Sequence, residues 1–220
     1  MDILIKAFIT FVPAIIAITA HEVAHGLVAA YLGDDTAKKN KRLSLNPMRH
    51  IDIFGTIILP AILILSKTGF IFGWAKPVPI NYNNLKKPKR DIVLVASAGI
   101  IMNLYLALIG ALLIYLCSFI PTAKFQLFCT AFCINFMVFN IILAVFNILP
   151  IPPLDGSKIF FGWSENPWAI KYVNSTRIGL IIIVALTFVI PVFMQTFGIN
   201  FDVLGWYIKN TTRTLGSILM

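Results

Sequence analysis

Charge is what this sequence has least of. Only 12% of its 220 residues are Asp, Glu, Lys or Arg, and only nine are acidic, whereas soluble domains average about 25% charged residues. So few charges cannot coat a water-soluble globule, and a hydrophobic content of 59% makes lipid the expected solvent. Cysteine is scarce too. Cys117, Cys129 and Cys133 form an odd set inside apolar runs, which excludes a disulfide framework. Cys129 and Cys133 have helical i, i+4 spacing, but no His or acidic residue beside them completes a metal set. No internal repeat or low-complexity segment is evident.

What charge there is has one sign, with a net value of +9. A nucleic-acid partner would need a basic face on a folded polar domain, and no stretch offers one. Lys and Arg instead collect in loops between apolar runs, as they do beside membrane spans. A bilayer core of about 30 Å needs about 20 apolar residues per helix. Runs of that kind cover residues 3–32, 91–119, 125–149 and 178–197. Within the first, Lys6 precedes an apolar run from Ala7 to Ala20 as in a signal peptide, yet the helix continues to Tyr31, too long for an h-region, and is expected to stay as a span.

Residues 53–66 are apolar for only about fourteen positions, are interrupted by Pro60 and have basic loops on both sides, so a re-entrant segment is expected there. Residues 73–80, Gly-Trp-Ala-Lys-Pro-Val-Pro-Ile, are too proline-rich for a helix and suit an interfacial strand or β-hairpin. The tail, residues 203–220, reads as an amphipathic helix or a last short span. Fourteen of the eighteen basic residues can share the inner side, leaving Lys6, Lys124, Lys209 and Arg213 outside. The expected fold is an all-α polytopic membrane protein, a bundle of about four to six transmembrane helices. It forms a single domain over residues 1–220, with a catalytic core at about 1–160 and a C-terminal span and tail at about 178–220.

Chemistry concentrates at His21-Glu22-Val23-Ala24-His25. On a helix, i and i+4 side chains share one face, so His21 and His25 can share a metal ion, with Glu22 beside it as general base toward a metal-activated water. Histidines on helices are often only hydrogen-bonded core residues, but two of them and a Glu inside an apolar span are costly and demand partners. His21 lies ten residues before Tyr31, about 15 Å along a helix rising about 1.5 Å per residue, which places the metal near mid-membrane. Catalytic zinc takes three protein ligands and keeps an open position. His50, next to Arg49 in a basic loop, is the wrong third ligand. Asp155 is the better one, because Pro150, Pro152, Pro153 and Gly156 break the helix around it, and an acidic residue at that depth calls for a cation.

H-E-x-x-H in the first span and Asn147-x-x-Pro150-x-x-x-x-Asp155-Gly156 at the end of a later one resemble the motif pair of the site-2 protease family. Residues 73–80 resemble that family's Gly-Trp-Ala-Lys-Pro-Val-Pro element. Ala98-Gly99-Ile100-Ile101-Met102-Asn103 resembles its G-x-x-x-N span, with Ile100 where many relatives have proline. The resemblance covers residues 1 to about 160 and implies a compact, core-only member.

By that resemblance the chain would be an intramembrane zinc metalloprotease in a bacterial plasma membrane. One Zn²⁺ would be held by His21, His25 and Asp155, and Glu22 would be the base. Asn147 and Asn103 would steady the substrate backbone or oxyanion. Transmembrane proteins or peptides would be the substrates and the lipid bilayer the surroundings, with no nucleic acid involved. Two other readings remain open at this point: an ion transporter using the same intramembrane His and carboxylate groups, and a proteolytically silent relative that binds client helices.

Overall fold

A computed structural model describes residues 3–58, 62 and 75–219. In chain order the helices are α1 (Ile3–Tyr31), α2 (Thr36–Lys39), α3 (Pro88–Cys117), α4 (Ala123–Asn147), α5 (Asp155–Phe161), α6 (Pro167–Val173), α7 (Thr176–Gln195) and α8 (Val203–Leu219). Among the described residues, α1, α3, α4 and α7 are the four helices long and apolar enough to cross a membrane.

Local sequence sets these ends. Gly33 takes φ +116°, a left-handed value that closes α1. Helix α3 begins three residues before the apolar run does, because Pro88 needs no N–H partner in a first turn and the Asp91 carboxylate accepts the Lys87 N–H at 2.8 Å. Within α7 a π turn, Ala185–Val189, precedes Pro191, whose missing N–H removes one bond of the ladder.

Helices α1, α3 and α4 pack on one another, and small residues let them approach. Ala17, Ala29 and Ala107 are fully buried. A Cβ on Gly110 would lie 2.9 Å from that of Met137. Such close backbone contact is the usual basis of association between spans. Helix α7 joins through Ile183, which packs with Ile151 and Leu154. The ambiguous tail is a helix, α8, whose Tyr207, Leu215 and Leu219 pack against the Ala107, Met137, Ile141 and Val145 cluster.

Two expectations need correction. The interfacial strand or hairpin is not supported: among the described residues there is no strand, and residues 75–80 are a strap without a ladder. Pro77 and Pro79 lack the N–H that pairing along one edge requires, and several of the strap's other backbone groups are taken up elsewhere. Lys76 N–H donates to the His50 carbonyl at 2.8 Å, and the Arg42 guanidinium donates to the carbonyls of Lys76 and Pro77 at 2.9 and 3.3 Å. The re-entrant segment is not supported either. Ile53–Ile58 forms a π turn, and most of the remainder of 53–66, like Gly73 and Trp74, lies outside the described residues.

Candidate metal centre

His21 and His25 stand one turn apart on the buried face of α1. Asp155, the first residue of α5, comes from the far end of the α4–α5 connection. That connection can turn sharply because a Cβ on Gly156 would collide with the carbonyls of Ile148 and Leu149. The result brings three ligand atoms together. Asp155 Oδ2 lies 3.1 Å from Nε2 of His21 and 3.1 Å from Nε2 of His25, and the two Nε2 atoms are 3.0 Å apart. All three residues are buried.

The partners behind the rings decide what those atoms present. His25 Nδ1 lies 2.7 Å from the Val95 carbonyl, which can only accept, so Nδ1 carries the proton and Nε2 a lone pair. His21 Nδ1 faces Oδ1 of Asn103 at 2.6 Å with the same consequence. Asp155 Oδ2 is itself buried without a hydrogen-bond donor. Two lone pairs and an anionic oxygen therefore meet at one point, an arrangement that repels itself unless a cation lies between them. Tetrahedral zinc, with bonds of about 2.0–2.1 Å, separates its ligand atoms by about 3.3 Å, so the donor set fits that ion. Room for it depends on Gly99 of α3, where a Cβ would lie 2.5 Å from His21 Cε1 and from His25 Nε2.

Glu22 faces a cavity of about 640 Å³ whose wall also carries His21, His25, Asp155, Asn147, Tyr82 and Lys158. The strap closes one side. Val78, buried in a notch where Gly26 has no Cβ, donates its main-chain N–H to Glu22 Oε2 at 2.8 Å. Lys158 Nζ stands 3.8 Å from Asp155 Oδ1.

Comparison with known proteins agrees with this geometry. The model of peptidase family M50 matches residues 121–190, the stretch that contains Asn147 and Asp155. A Bacillus subtilis (strain 168) protein named "Putative zinc metalloprotease YwhC" is 41% identical over 180 residues, 80% of this chain and 78% of that protein. The chain belongs to peptidase family M50. No solved structure gives a significant match to it. The M50 assignment makes the chain a protease of the site-2 family, and zinc is the metal indicated by both the family and the donor set.

Within this M50 chain the expected site residues do not all stand on the cavity. Asn147 lines the wall, with its Nδ2 donating back to the Leu143 carbonyl at 2.9 Å. Asn103 sits behind His21, fully buried, and its amide is taken up by His21, Asn140 and the Ala17 carbonyl. His50 is buried in the basic loop against the Ser44 carbonyl. Sequence reasoning missed the Val95 carbonyl and the Val78 N–H, since main-chain groups leave no mark in a sequence. It also missed Asn140, an amide two turns before Asn147 inside an apolar run, a signal that was there to be read.

Proposed function

We propose that this M50 protease cuts membrane-spanning proteins or peptides within the bilayer of a bacterial plasma membrane, as one protease domain with its catalytic core in residues 1 to about 160. The observation that carries this reading is the convergence of His21 Nε2, His25 Nε2 and Asp155 Oδ2 to within 3.1 Å of one another, with Glu22 on the same cavity wall.

His21, His25 and Asp155 would hold the zinc ion. When bound, zinc would supply a Lewis acid and make a water molecule acidic enough to attack near neutral pH. Glu22 takes the proton from the attacking water and passes it to the leaving amine. The Val78 N–H fixes one oxygen of Glu22 and leaves the other to handle that proton. Asn147 steadies the substrate backbone or oxyanion from the wall, and Asn103 supports that side of the site from behind His21.

The test is cleavage of single-span peptides by protein purified in detergent, comparing wild type with Glu22→Gln. The variant is expected to keep its zinc and lose cleavage. Wild-type cleavage by Glu22→Gln would overturn the reading.

A further inference from the structure

A line of buried amides runs from the backbone of α4 to the metal centre, and its direction is fixed from the α4 end. Asn140 is fully buried. Its Nδ2 donates to the Phe136 carbonyl of its own helix at 2.8 Å. A carbonyl only accepts, so this bond decides which way the amide faces and turns Oδ1 toward α3. There Oδ1 accepts from Nδ2 of Asn103 at 2.9 Å, and the same Nδ2 reaches the Ala17 carbonyl on α1 at 3.3 Å. With its amide nitrogen committed, Asn103 can turn only Oδ1 toward His21, and it does so at 2.6 Å from Nδ1.

We propose that Asn140 is a positioning residue for the metal centre: through Asn103 it fixes the tautomer and ring orientation of His21, so that Nε2 is presented to the ion. Were Asn103 to flip, its NH2 would face Nδ1 and favour the tautomer with the proton on Nε2, which cannot bind a metal. Asn140 and the Ala17 carbonyl oppose that flip, because each offers an acceptor where the flipped amide would place its oxygen. A bond that served only to hold two spans together would need neither a set direction nor an imidazole at its end. Partners that orient ligating histidines change metal affinity by about 10- to 100-fold when removed.

The inference rests on the zinc-protease reading, and its test separates the two. Zinc affinity is measured in detergent by competition with a chelating dye for wild type, Asn140→Leu, Asn103→Leu and the double variant, and the metal-free melting temperature of each is recorded. Asn140→Leu is expected to weaken zinc by about tenfold and Asn103→Leu by at least as much. The double variant should be no weaker than Asn103→Leu alone, because one residue acts through the other. The Co²⁺ absorption spectrum of Asn140→Leu should also shift from that of wild type. Wild-type zinc affinity in Asn140→Leu, or losses that multiply in the double variant, would overturn the relay and leave the protease reading standing. If an Asn140→Leu variant is too unstable to purify, Asn140→Ser takes its place and is judged by the same two outcomes. If wild type itself binds no zinc, it is the protease reading that falls.

Discussion

The main-chain N–H of Val78 donates to Oε2 of Glu22 at 2.8 Å, across 56 positions of sequence. The bond ties the strap to the proposed base. The Arg42 guanidinium and the His50 carbonyl anchor the same strap at Lys76 and Pro77. The side chain that is to move a proton is therefore aimed by backbone.

Replacing Val78 with Pro removes that N–H. Hydrogen bonds to charged groups contribute about 1.5–3 kcal/mol, so peptide cleavage should fall by about 10- to 100-fold with zinc content unchanged. Val78→Ala keeps the donor and should lose much less. Equal losses in the two variants, measured on one single-span peptide, would show that the strap acts through packing alone.

Gly99→Ala tests the space between α3 and the two imidazoles. Its methyl group has no room 2.5 Å from both rings, so zinc affinity should drop by about 100-fold or more, a loss at least as large as those seen on removing partners of metal ligands. Gly110→Ala, crowded against Met137, should lower the melting temperature and leave zinc affinity alone. A dye-competition titration of both variants decides the matter.

These two sites mark how far the sequence could be read. His21, Glu22 and His25 were legible because helical spacing puts both ligands on one face, and Asp155 because prolines and a buried carboxylate are hard to place together without a cation. The four long helices followed from apolar length. Gly99 was visible as part of a motif, but its task is to have no Cβ where two rings stand, and that needs coordinates. The strand over residues 73–80 was expected from proline and alternation. The same prolines, Pro77 and Pro79, withhold the N–H groups a ladder uses, while Glu22 takes the Val78 N–H and Arg42 the carbonyls of Lys76 and Pro77. Asn140 could have been singled out as a lone amide in a span. The carbonyl of Val95 could not.

Asp34 gives a pH dependence that is separate from catalysis. It is fully buried at the end of α1, and burial alone would raise its pKa. Donations from the Thr36 hydroxyl, Asn84 Nδ2 at 2.8 Å, the Asn81 N–H at 2.7 Å and the Thr36 N–H at 3.1 Å outweigh that and hold it below the usual carboxylate value. Because the folded value is the lower one, its stabilisation is present above the unfolded pKa of about 3.9 and is lost as pH falls further. Asp34→Asn should lower the melting temperature at neutral pH and flatten its decline below about pH 4. An unchanged melting curve at both pH values would contradict this.

The central claim is that residues of α1 and the start of α5 share one ion, and metal analysis of Asp155→Ala tests it most directly. Purified wild type should carry about one zinc per chain. Asp155→Ala should carry little and recover it only at much higher free zinc, with its metal-free melting temperature close to that of wild type. Zinc held by Asp155→Ala at the wild-type stoichiometry and affinity would contradict the account.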